Sequence, residues 1–146
     1  MRHALSRRLP YTADQLFDLV GDVEAYPQFV PWITDMRVWN PRQEGEVSLL
    51  DAEAGVGFSF IRERFSTRVR RDPARREITV TLINGPFRKL INQWRFREEP
   101  AGSTIEFSIE FEFKSMMLEM MLAANMERAV QKLIGCFEAR AKALYG

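Results

Sequence analysis

The 146-residue sequence predicts an α+β domain: a curved antiparallel sheet of about seven strands closed by one long C-terminal helix. Three observations carry that expectation. In STIEFSIEFEF (103–113), Ile105, Phe107, Ile109, Phe111 and Phe113 share one face, and Thr104, Glu106, Ser108, Glu110 and Glu112 share the other. Such alternation marks a strand with one face buried and one in water. Residues 34–113 are cut into strand-length pieces by the turn signals NPRQEG, AGVG, RDPAR, NGP and EEPAG. Residues 115–145 hold no proline and a single glycine, Gly135. There Leu118, Leu122, Met126, Val130, Leu133, Phe137 and Leu144 draw a stripe at helical spacing.

The elements follow in order. Residues 2–9 place Leu5 and Leu9 on one parity, a faintly marked first strand. Thr12-Ala-Asp-Gln15 is a capping-box pattern, and Leu16, Phe17, Leu19, Val20 and Val23 follow at helical spacing. This helix is expected to stop between Gly21 and Val23. Next comes YPQFVPWI (26–33), where Pro27 and Pro31 remove two backbone donors and predict a broken turn or a one-turn helix. Strands are expected near 35–40, 46–54, 58–70, 76–83, 88–97 and 103–113. In EITVTLI, Ile78, Val80 and Leu82 share a face; in KLINQWRF, Leu90, Asn92, Trp94 and Phe96 do. The 58–70 segment changes phase, from Phe58 and Phe60 to Phe65, Thr67 and Val69, which predicts a bulge between Ile61 and Arg64.

Composition narrows the function. One domain spanning 1–146 is the simplest organisation. A net charge of +1 gives no bulk attraction to nucleic acid, and no DNA partner is expected. The lone Cys136 excludes an intrachain disulfide and a multi-cysteine metal site. The lone His3, close to the terminus, argues against a Ser-His-Asp or Cys-His centre, so neither catalytic residues nor metal ligands are assigned. No apolar run approaches the roughly 18 residues that span a bilayer. MRHALSRRLP lacks an apolar signal core, which predicts a cytoplasmic protein, peripheral at most at the inner membrane.

Four stretches, YPQFVPW (26–32), GPFRKLINQWRF (85–96), IEFSIEFEFKS (105–115) and FEARAKALY (137–145), resemble the coenzyme Q-binding and ribosome-association-toxin family. That family lies within the START-like superfamily of polyketide cyclases and lipid-transport proteins. The resemblance implies a helix-grip fold, with a deep apolar cavity between the curved sheet and the last helix. It implies a non-enzymatic chaperone or carrier of ubiquinone that supports respiratory electron transport, with no catalytic cofactor. It also implies two alternatives: a toxin that binds the large ribosomal subunit and blocks subunit association, or a polyketide cyclase/aromatase. The chain opens on its first strand with no transit peptide, as the bacterial form would.

Candidate ligand contacts follow from that placement. Tyr26, Phe29, Val30 and Trp32 would form a lip, or else close the core edge and bind nothing. The sheet would contribute Phe65, Leu82, Phe87, Leu90, Asn92, Trp94, Phe107, Ile109 and Phe111. Asn92, on the inward parity, either donates to a quinone carbonyl or satisfies a backbone group; Arg62, Arg64 and Tyr26 are weaker polar candidates. From the methionine-rich SMMLEMMLAANM, Met117, Met121 and Leu122 are candidates, either suited to a flexible apolar chain or filling gaps in a core. Met116, Met117, Met120 and Met121 cannot all face one way, so at least one should be exposed or meet a lipid, membrane or partner. Arg68, Arg70, Arg71, Arg75 and Arg76 crowd a hairpin that either meets phospholipid headgroups or ribosomal RNA phosphates, or is a solvated, charge-protected turn. With the lip and the methionines it would face a membrane or a respiratory partner. An empty hollow of about 300 Å³ would cost about 7 kcal/mol at about 24 cal/mol per Å³, so it is expected to collapse or stay filled.

Overall fold

The structure, a computed structural model, describes residues 1–58 and 60–146. Strands β1 (Arg2–Leu9), β2 (Ile33–Glu44), β3 (Val47–Phe58), β4 (Ile61–Asp72), β5 (Glu77–Asn84), β6 (Phe87–Glu99) and β7 (Gly102–Phe113) form one antiparallel sheet in the order β1-β7-β6-β5-β4-β3-β2. Helix α1 (Ala13–Gly21) carries the expected capping box, the Thr12 hydroxyl accepting from Gln15 N–H while the Gln15 side chain accepts from Thr12 N–H. Pro27 lies in a short 3-10 helix, Val23–Gln28, which joins α1 to β2.

Two expectations change. The C-terminal helix is broken into α2 (Met116–Ala123) and α3 (Met126–Tyr145). Asn125 interrupts it: its side-chain amide donates to the Met121 carbonyl at 3.1 Å, and its backbone N–H turns to Leu122 at 3.0 Å. A side-chain bond of this kind competes with the helix ladder. The phase change in 58–70 is a hairpin and not a bulge. Phe58 pairs with Ile61 and the β3–β4 register runs unshifted to Ser48 opposite Arg71, so AGVG lies inside β3. The part of the 58–70 reading that falls on Ser59 lies outside the described residues. A register shift does occur at Trp39/Arg42, where Asn40 takes φ 55, inside the NPRQEG signal.

The core lies between the concave face of the sheet, α1 and α3. Leu16, Val20, Val30, Val69, Ile78, Trp94, Ile105, Phe107, Ile134 and Phe137 form one contiguous buried cluster. Arg71 shares this face: its Nη1 donates to the Gly21 carbonyl at 2.9 Å and its Nε to Ser48 Oγ at 3.0 Å. It therefore caps the C-terminal end of α1, where a cation suits the helix dipole, and is not a surface arginine.

Across the convex face runs an ion-pair network. Loss of water around Asp51 would raise its pKa, but hydrogen bonds from Arg68 and Asn40, with the charge of Arg42, hold it below the usual range. The Arg2 and Lys89 side chains likewise lower Glu110, and Arg64 lowers Asp35. These carboxyls bind protons less readily folded than unfolded. Their stabilisation is complete above the unfolded values of about 4 and fades as pH falls through the lowered ones. Thermal midpoints should thus be flat near neutrality and drop below about pH 4; a midpoint that rises on acidification contradicts this network.

Candidate functional site

Cross-strand pairing lays side chains in rows over the concave face. Ile78, Trp94 and Phe107 make one row, all buried. Leu90 and Phe111 make another, also buried, yet with Leu118 of α2 they stand outside the contiguous core cluster. Between the two rows lie Val80, Asn92, Ile109 and His3, one from each of β5, β6, β7 and β1, and all four are only half-buried. Leu82 continues this seam along β5, opposite buried Thr67. Val80 and Ile109 pack against the core cluster yet keep part of their surface open, so the strip carries incompletely covered apolar surface beside the polar Asn92 and His3.

Towards α2 the seam is bounded by rings. Phe65 meets Phe87 edge-on at 5.3 Å, and Phe87 stacks on Phe113 at 4.7 Å. Ser115 caps α2 by accepting from Leu118 N–H, and buried Leu118 sets the inward face, which Met121 and Leu122 share at three- and four-residue spacing. Met126, half-buried, packs against the core where α3 begins. Met116, Met117 and Met120 form the outward face, 78%, 60% and 68% exposed, so Met117 points away from the hollow.

Beneath the C-terminal half of α3 the expected deep cavity is filled. Phe137 sits 5.1 Å from the Tyr26 ring, 5.1 Å from Phe29 and 5.0 Å from Trp94. Tyr26 donates its hydroxyl to the Val20 carbonyl, and burial, with Asp22 nearby and Arg71 opposing, pushes its pKa far above the ordinary phenol. Val30 is fully buried. Tyr26, Phe29 and Val30 therefore close the core edge. Trp32 is half-buried where its carbonyl accepts from Gly57 N–H at 2.9 Å, at the α2 end of the sheet.

Asn92 bonds both ways. Its Nδ2 donates to the Ser108 carbonyl at 2.9 Å, and its Oδ1 accepts from Trp94 Nε1 at 2.8 Å, which leaves the second amide N–H outside these two bonds. Asn92→Ala strands the buried Trp94 indole N–H and should cost about 1–3 kcal/mol. Equal urea midpoints for wild type and Asn92→Ala would contradict that role.

His3 is the residue that composition dismissed. It lies in β1 opposite Ile109, on the seam parity that Leu5 and Leu9 already signalled. Glu63 also takes the concave parity, opposite Val56, but on β4, four strand positions from β1. Burial pushes the Cys136 thiol up, against the pull of Lys132. Among the described residues no cluster of three or more His, Cys, Asp or Glu can hold a metal, and no helix is long and apolar enough to cross a membrane.

The arginines divide by end. Arg68 and Arg70 stand on the convex face of β4, near carboxylates Asp51 at 3.1 Å and Asp72 at 3.8 Å. Arg75 and Arg76 occupy the β4–β5 hairpin beside α1, with Arg76 Nε 2.9 Å from Asp14. Twelve residues of β4 separate that hairpin from the α2 end; at about 3.3 Å per residue this is roughly 40 Å. The hairpin and the methionines therefore lie at opposite ends of the sheet. Two depressions lie outside the grip: one of about 450 Å³ over Ala4, Ser6, Gln93, Arg95, Glu106 and Ser108 of the convex face, and one of about 410 Å³ between Pro10, Tyr11 and the Gly135–Lys142 stretch of α3.

Comparison with known proteins follows the same architecture. The chain is 35% identical over 142 residues to the ribosome association toxin RatA of Pseudomonas aeruginosa, covering 97% of this chain and 95% of that protein. It is 27% identical over 150 residues to a mitochondrial coenzyme Q-binding protein COQ10 homolog of Xenopus laevis, covering all of this chain and 60% of that one. Among solved structures, an 18 kDa protein of Caulobacter crescentus is 62% identical, with a TM-score of 0.85 over 100% of this chain and 99% of that one. A START superfamily protein of Mycobacterium smegmatis, 20% identical with a TM-score of 0.82 over 98% of each chain, shares the fold. The profile of the family described as polyketide cyclase/dehydrase and lipid transport matches residues 9–138. The chain is a member of that family.

Proposed function

We propose that the chain binds a long apolar molecule of the isoprenoid-quinone type along the seam, and acts as its chaperone or carrier in support of respiratory electron transport. The observation that carries this reading is the half-buried row Val80, Asn92, Ile109 and His3 between two buried rows. Apolar surface facing inward gains on the order of 0.8 kcal/mol per CH₂ that covers it. The tail would supply affinity, against Leu82, Ile109 and the inward face of α2. Orientation would come from the spare Asn92 N–H and the His3 imidazole at a ring carbonyl. Similarity to a coenzyme Q-binding relative supports the quinone class.

A second reading, docking on the large ribosomal subunit, draws on the similarity to ribosome association toxins and on the convex-face arginines Arg68 and Arg70. One pair of measurements separates them. Protein purified from its own cells and extracted with organic solvent should release a quinone or another isoprenoid lipid. An extract without lipid, together with a sucrose-gradient profile in which added protein shifts the ribosomes towards free subunits, would favour the second.

A further inference from the structure

Resting on the quinone reading above, we propose that the seam selects the oxidised form of its guest, a 1,4-dione ring, over the hydroquinone. Asn92 of β6 and His3 of β1 both pair with Ile109 of β7, so two polar side chains flank one apolar residue on the concave face. Strands about 4.8 Å apart put the Cα atoms of Asn92 and His3 about 10 Å from each other. The para oxygens of a six-membered dione stand about 5 Å apart, and a hydrogen bond of about 2.9 Å at each end spans the remainder. A ring lying over Ile109 thus reaches both.

Asn92 is locked as a donor. The Trp94 indole N–H only donates and the Ser108 carbonyl only accepts. The Asn92 amide serves both, with Oδ1 2.8 Å from Trp94 Nε1 and Nδ2 2.9 Å from the carbonyl. Turning the amide over would lose both bonds and strand the buried Trp94 N–H. What half-buried Asn92 has left is therefore an N–H, without a partner among the described residues. A quinone oxygen accepts it. A hydroquinone oxygen accepts it too, but its own proton then lacks an acceptor. Val80 and Ile109 offer none, and Asn92 Oδ1 and the Ser108 carbonyl are already engaged. Thr67 and Glu63, the acceptors that β4 turns to this face, stand two strands from Asn92, at about 10 Å or more. An unmet hydroxyl against apolar surface disfavours the reduced form. The His3 imidazole, with no hydrogen-bond partner among the described residues, serves either form, because a neutral imidazole donates from one nitrogen and accepts at the other. Discrimination falls to Asn92, with Trp94 as its positioning residue.

The test uses the full chain under nitrogen, with decylubiquinone and decylubiquinol in equilibrium dialysis. The wild-type protein should hold the oxidised form at least about tenfold more tightly. By linkage, the two-electron midpoint potential of the bound pair should then lie at least about 30 mV below that of the free pair. Trp94→Phe frees Oδ1 to turn towards the guest, and Asn92→Leu removes the donor. Each should bring the two affinities to within about threefold of one another, with a melting curve to report the folded fraction. Equal wild-type affinities, tighter binding of the reduced form, or a preference that survives both substitutions would each overturn the proposal. The wild-type comparison stands even where a substitution prevents folding. Binding of both forms alike would overturn the selectivity and leave the cargo reading in place; binding of neither would remove both.

Discussion

Phe137→Ala should lower the free energy of unfolding by about 3–5 kcal/mol, the range for emptying a well-packed aromatic site. The residue is 2% exposed and touches the rings of Tyr26, Phe29 and Trp94 at about 5 Å, so one substitution removes three ring contacts. Those partners come from the 3-10 segment, its exit and β6, and none of them can close the gap alone. Against a typical total of about 5–15 kcal/mol this is a large share of the stability. Urea unfolding of the two proteins, with equal slopes, measures it. Leu144→Ala, on the same stripe but 52% exposed, should change little. A loss below about 1.5 kcal/mol for Phe137→Ala would mean that the space beneath α3 is loosely packed, contrary to the filled core described above.

Leu82→Lys should abolish binding of a quinone-type molecule, by at least about a hundredfold, while the protein stays folded. Leu82 faces the concave side of β5 but lies outside the contiguous core, so its loss leaves that packing intact. A lysine there removes several CH₂ contacts from the guest and leaves an ammonium group to be stripped of water when a tail arrives. Equilibrium binding of a short-chain ubiquinone analogue, alongside a melting curve, separates loss of binding from loss of fold. Unchanged affinity would remove the seam as the binding site.

Much of the fold was legible because its signals are local. Alternation along β7, the Thr12–Gln15 capping box and the paired prolines each specify a backbone conformation without outside help. The break at Asn125 was not, because the apolar stripe runs through it and only the side-chain bond to Met121 stops the helix. The phase change between Phe60 and Phe65 suggests a bulge between Ile61 and Arg64 in sequence, because a bulge and a chain reversal after Phe58 both change strand parity. Arg71 and Arg75 are near neighbours in sequence, but strand parity sends Arg71 inward to the Gly21 carbonyl, which composition cannot show. The inward parity of Asn92 was visible; its bond to Trp94 Nε1 required the third dimension. His3 shows the reverse failing: the alternation was there to be read, but its place near the terminus outweighed it.

A single-tryptophan protein, Trp32→Phe with Trp39→Phe, offers the most direct measurement. Trp94 then reports alone, its indole 2.8 Å from the Asn92 amide on the edge of the seam. Titration with a ubiquinone analogue should quench its fluorescence to saturation, and Leu82→Lys should remove that saturable component. A linear, collisional response identical in both proteins would contradict a guest lodged between the two packed rows.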